Sequence, residues 1–148
     1  MTAQDSTRSG TPPRSGPLSQ ADYRTLARFR HALRVFQRFS EEAARDAGTT
    51  PAQHQLLLAV KGFYEDRPPT ITDLADLLQL RHHSAVELVQ RASAAGLIEA
   101  GPDPADARRQ LVELTPTGES ILASLSLAHR DELRRFRAEM TDLLLEID

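Results

Sequence analysis

The chain has 148 residues, a formal net charge of −3, 40% hydrophobic residues and no cysteine. This suits one folded domain and excludes disulfides, zinc–thiolate sites and thiol redox sensing. No apolar run approaches the roughly 20 residues of a bilayer-spanning helix, and the N-terminus lacks the apolar core of a secretory signal, so a cytoplasmic protein with no membrane partner is expected.

Residues 1–18, MTAQDSTRSGTPPRSGPL, are rich in Gly, Pro, Ser and Thr with almost no large apolar groups, and read as a disordered tail that cannot offset the entropy of ordering. From Ser19 the spacing turns helical. Leu26, Phe29, Leu33, Phe36, Ser40 and Ala43 recur at threes and fours and predict one long helix over 19–47, stopped by Gly48. Thr50, Pro51 and Gln53 supply the N-cap, first-turn proline and capping box of a core helix running through HQLLLAVKGFY. Pro68 and Pro69 interrupt the chain. Thr70 or Thr72 then caps a short helix with Leu74, Ala75 and Leu78 inward, and QLRH leads to a second, HSAVELVQRASAA, with Ala85, Leu88, Val89 and Ala92 inward and Gly96 as its stop. Two short helices about a tight turn make a helix-turn-helix.

LIEA and LVEL are strand-like runs separated by GPDPADARRQ, which predicts a β-hairpin with a long tip. Thr115 and Pro116 restart helix with Ile121, Leu122 and Leu125 apolar. The terminal helices close with Leu133, Phe136, Met140, Leu143, Leu144 and Ile147 at helical spacing. The fold class is therefore mainly α with a small β-hairpin wing: a winged helix-turn-helix lobe over 50–115, flanked by terminal helices over 19–47 and 116–148.

The stretch GLIEAGPDPADARRQLVELTPTGESIL resembles the wing signature of the MarR family of bacterial transcription regulators, with Gly96, Leu97, Ile98, Asp103, Asp106, Arg108, Leu114, Thr115 and Gly118 on the signature positions. The element order over 19–148 is also that of the family. The resemblance implies a homodimer whose first and last helices intertwine as dimerisation helices, leaving two lobes to straddle a pseudo-palindromic operator in double-stranded DNA. It further implies a regulator, most often a repressor, responsive to a small aromatic or anionic effector held between those helices and the lobe. The long apolar stripes at both ends of the chain agree, since a lobe of this size leaves them uncovered. Glu87 departs from the family, in which a basic residue often stands there.

In a helix-turn-helix the start of the second helix enters the major groove. This places Arg81, His82, His83 and Ser84 at base edges or phosphates, with Glu87, Gln90 and Arg91 further along. Arg81 or Gln90 has the geometry for bidentate contact with guanine or adenine. Glu87 either accepts from a cytosine amino group, repels phosphate, or is a solvated partner of Arg91 one turn on. On the wing, Arg108 is expected in the minor groove, and Arg109 on a phosphate or paired with Asp103 or Asp106. Those two aspartates are expected to brace the loop through side-chain to backbone bonds and by orienting arginine.

Residues 70–114 hold seven acids against four arginines, a weak electrostatic footing for DNA. Arg8, Arg14, the arginines of the first helix and protonation of the histidines at lower pH are candidates to supplement it. The acidic lobe also keeps open a second class, a winged-helix protein-interaction module with little base reading. For an effector pocket the candidates are Tyr23, His31, Phe36, His54, Phe63 and Tyr64. No cofactor or metal is expected: His82 and His83 diverge by about 100° on a helix, and no nucleophile–base pair, phosphate loop or His-Glu-x-x-His motif points to an enzyme.

Overall fold

Helix starts in this protein are set mostly by hydroxyl side chains. The computed structural model describes residues 16–146; the remainder of the expected tail, with Arg8 and Arg14, and Ile147 lie outside the described residues. Along the chain run α1 (Gln20–Asp46), α2 (Pro51–Lys61), α3 (Ile71–Leu77), α4 (His82–Ala94), β1 (Ile98–Pro102), β2 (Gln110–Leu114) and α5 (Pro116–Leu145). Ser19, Thr50, Thr70 and Thr115 cap α1, α2, α3 and α5, each hydroxyl oxygen accepting the backbone N–H three residues on. In the first three, the Asp or Gln at that position reciprocates on the cap residue's own N–H. Gly48 and Gly96 end α1 and α4 in the left-handed region, at φ 80° and 75°. The turn between α3 and α4 takes the same conformation at Gln79 (φ 53°), where the side-chain amide donates to the Asp76 carbonyl at 2.7 Å.

The lobe core joins Leu56, Leu57 and Val60 of α2 to Leu74 of α3, Val89 and Ala92 of α4, Leu97, Ile98 and Val112 of the wing, and Leu122 of α5. β1 and β2 pair antiparallel from Ile98↔Leu114 to Pro102↔Gln110. The strands thus extend further than LIEA and LVEL, and the tip shrinks to residues 103–109. A third short edge joins them. Thr70 bridges Leu111, and the Val112 N–H donates to the Pro69 carbonyl at 2.9 Å, so the two prolines are sheet edge as well as chain breaker.

Two expectations need correction. The terminal helices are one: α5 runs unbroken for 30 residues, about 45 Å. In α1 the buried line is Thr25, Ala32, Ser40 and Ala44 rather than the larger residues. Phe29, Leu33 and Phe36 are half-buried, and Leu26 is 46% exposed. Small residues let α5 come close, which pushes the bulky ones to the flank. Leu133 and Leu144 of α5 are likewise exposed while Met140 and Leu143 are buried.

Where the wing meets α5, a Cβ at Gly118 would run into the Leu97 carbonyl oxygen. Helix propensity favours Ala over Gly by about 1 kcal/mol, but overpacking against fixed backbone costs about 1–3 kcal/mol. Gly118→Ala is expected to lower stability to urea, with exposed Ser120→Ala as a control that stays within about 0.5 kcal/mol of wild type.

Candidate nucleic-acid interface

The apolar positions of α4 fix what its other face presents. With Ala85, Val89 and Ala92 buried, the 100° helical step aims His83, Glu87, Gln90 and Arg91 the opposite way. All four are exposed, as are Arg81 and His82, and Ser84 is half-buried. Among the described residues no ion pair joins Glu87 to Arg91, and neither Arg81 nor Arg91 is paired. α4 also differs from the other four helices: its N-cap is Arg81, which makes no side-chain cap hydrogen bond. Its first amides are therefore left without a side-chain cap, and the helix dipole adds partial positive charge at the end carrying Arg81, His82 and His83.

The start of α3, which backs α4, is held by a group that the sequence reading passed over. Arg67 donates to Asp73 at 2.8 Å and to the Pro68 carbonyl at 3.1 Å, and lies over the Phe63 ring at 5.2 Å. Burial works against the Asp73 carboxylate, but hydrogen bonds from Arg67 and Thr70 outweigh it and hold its pKa below the ordinary range. Arg67 and Asp73 are six apart across two prolines, so no helical spacing marked them as partners.

The wing tip is a tight turn built by its aspartates. Asp103 accepts from the Ala105 N–H at 2.8 Å, and Asp106 from the Arg108 N–H at 3.1 Å. The Asp103 N–H donates to the Arg109 carbonyl at 3.0 Å, closing the tip. Asp106 also takes the Arg108 guanidinium in a two-pronged contact at 3.1 and 3.2 Å, with Arg109 Nε 3.8 Å away. The Arg108 hydrogen bonds pull the Asp106 pKa down. Arg108 remains exposed, as does Arg109, so Asp106 aims the arginine without covering it.

The effector candidates do not converge. Tyr23 and His31 are exposed on α1. Phe63 stacks on Tyr64 beyond the far end of α2, centroids 4.8 Å apart. Only Phe36 and His54 share a location, around His129 of α5: His54 lies 4.9 Å and Phe36 6.3 Å from it, with Phe136 5.0 Å from Phe36. His129 was missed because a histidine in a charged stretch reads as solvated, although it falls four residues after Leu125, on the buried side. Among the described residues no three His, Asp or Glu side chains cluster as a metal site, and no helix is long and apolar enough to cross a membrane.

Because the Asp106 pKa is depressed, its hold on the loop is complete above the ordinary carboxylate range and fades only as pH falls through the lowered value. Asp106→Ala is therefore expected to speed amide exchange at Arg108 and Arg109 near neutral pH, with the protein still folded. Unchanged exchange there would rule out the bracing role.

Residues 47–109 match the sequence profile of the MarR family. Over 119 residues the chain is 29% identical to the HTH-type transcriptional repressor NicR of Pseudomonas putida, covering 78% of this chain and 73% of NicR. The crystal structure of the MarR family transcription regulator SP03579 superposes with a TM-score of 0.70 at 26% identity over 81% of both chains. That of a point mutant of MarR from E. coli, complexed with operator DNA, does so with 0.63 at 23% identity over 74% of this chain and 77% of that one. Wing signature, element order and these likenesses agree: the winged-helix segment at residues 47–109 matches the MarR family profile, and the chain is similar over most of its length to regulators of that family.

Proposed function

We propose that the protein is a dimeric, sequence-specific DNA-binding transcription regulator of the cytoplasm, a repressor released by a small-molecule effector. The observation that carries this is the pairing of two exposed features on one rigid lobe: the start of α4, without a side-chain cap and flanked by Arg81, His82 and His83, and the braced Arg108 of the wing. Backbone amides at a helix N-terminus favour phosphate, which positions α4 in the major groove while Gln90, Arg91 and Glu87 face base edges. Arg108 reaches the minor groove beside it.

The second copy of the chain covers the apolar face of the terminal helices, where Leu26 and Val35 of α1 and Leu133, Leu144 and Leu145 of α5 are exposed. Between this base and the lobe lies a cavity of about 580 Å³ lined by Leu33, Phe36, Ser40, Gln55 and Phe136. An aromatic or anionic effector that prefers one lobe spacing over the other would shift the population of DNA-competent dimers from there.

One observation favours a second reading, a protein-binding winged helix: Glu87 stands at the centre of the exposed face of α4 in an acidic lobe. An electrophoretic shift with duplex DNA from upstream of the gene, at two salt concentrations, separates the two. Salt-sensitive, sequence-selective retention supports the regulator, and no retention of a verified dimer supports the protein-binding module.

Two variants divide the roles. Arg108→Ala is expected to weaken operator binding about tenfold or more, within the roughly 1–3 kcal/mol of a specific arginine contact, with the dimer intact by sedimentation. Leu133→Glu should instead dissociate the dimer. It is a cleaner probe than Phe136, which also packs on Phe36 within the chain.

A further inference from the structure

His54 is 4% exposed, and its Nδ1 is buried with no hydrogen-bond partner. Orphaned buried nitrogens are uncommon and costly. Its neighbour is the equally buried His129, ring centroids 4.9 Å apart. His129 is fully engaged: Nδ1 lies 2.7 Å from the Leu125 carbonyl and Nε2 2.9 Å from the Ser40 hydroxyl. A carbonyl only accepts, so the proton sits on Nδ1, and Nε2 accepts from Ser40 while the ring is neutral.

The pair lies where α2, the first helix of the lobe, meets α1 and α5. From α1 it is faced by Ser40 and the rings of Phe36 and Phe39, with exposed Glu41 following Ser40. On α5, Glu132 is buried about one turn beyond His129 and pairs with Arg135 at 3.4 Å. On α2, His54 is flanked by the neutral Gln53 and Gln55. Burial, and after it the neighbouring His129, push the His54 pKa down.

We propose that His54 and His129 form a proton-operated latch between the lobe and the dimerisation helices, closed while the rings are neutral and released when His54 takes up a proton. Nε2 of His129 has the Ser40 hydroxyl beside it, which can act as donor or acceptor. Nδ1 of His54 has no such neighbour, so a proton arriving there makes an N–H with no acceptor in its buried setting, and the charge faces His129. Relief comes only by moving α2 away from α5, which changes how the lobe sits on its base. Acid thus joins the effector as an input to DNA binding; this last step rests on the regulator reading above, whereas the latch does not.

The sign follows from linkage. A histidine kept neutral in the fold adds no pH-dependent cost above its ordinary titration range, and that cost grows as pH falls through the range towards the lowered folded value. Between about pH 7 and 5.5 the unfolding equilibrium constant should rise in wild type by up to about eightfold more than in His54→Gln or His54→Phe, at fixed protein concentration. Should both variants fail to fold, the wild-type protein decides alone: the His54 ring signal in NMR should stay neutral as pH falls through the ordinary histidine range, then shift together with loss of amide protection at the start of α2. His54 titrating within the ordinary range with α2 still protected, or equal pH slopes in wild type and variants, would falsify the latch. In the DNA arm, carried out in a His82→Gln, His83→Gln background, operator affinity should fall several-fold from about pH 8 to 6 and lose that fall when His54 is also replaced. An affinity that falls equally with His54 present or replaced counts against the latch. Absence of DNA binding at both pH values would overturn the regulator reading, and the titration arm would still judge the latch.

Discussion

One knot of backbone and hydroxyl contacts ties the wing to the long C-terminal helix. The Thr115 hydroxyl donates to the Gly96 carbonyl at 2.6 Å and accepts from the Gly118 N–H at 3.0 Å, while the Thr115 N–H donates to the Leu97 carbonyl at 3.1 Å. The residue ending the reading helix, the one opening the wing and the start of α5 are thereby locked within a few ångströms, with Gly118 flattened against Leu97 to allow it. On the other side of the lobe, α2 rests against α1 and α5 beside a cavity and an unsatisfied imidazole.

Much of this was legible in the sequence because it depends on local chemistry. Thr50 and Thr115, Gly48 and Gly96, and the inward Leu74, Ala75, Ala85, Val89 and Ala92 act through neighbours a few residues away, so the order of residues carries the information. What escaped was set by distance across the fold. His129 meets Ser40 across 89 residues, and Arg67 reaches Asp73 around two prolines. The stripe on α1 was assigned to its largest apolar residues, whereas close approach by α5 selected the small ones. The effector candidates were chosen by type, and type does not say which end of α2 a ring occupies.

The acidic balance of the lobe also looks different once partners are known. Asp73 is engaged by Arg67 and Thr70, and Asp106 by Arg108 and the loop backbone. These carboxylates act as fixed braces more than as free negative charge facing a phosphate backbone. Glu87, unpaired among the described residues, is the exception; if α4 reads DNA as proposed, an unpaired acid there would disfavour wrong sequences more than strengthen the right one.

The proline pair has a consequence for how copies of the chain meet. The segment alongside β2 is the outer margin of the small sheet, and margins of that kind invite a stranger's strand. Pro68 and Pro69 have no N–H to offer, and the Thr70 N–H is taken by Asp73 at 2.9 Å. Three successive positions therefore present no donor, and this margin offers a further strand little to bond to. In the proposed dimer the helical face is the surface left for a second copy, and a twofold arrangement there closes on itself.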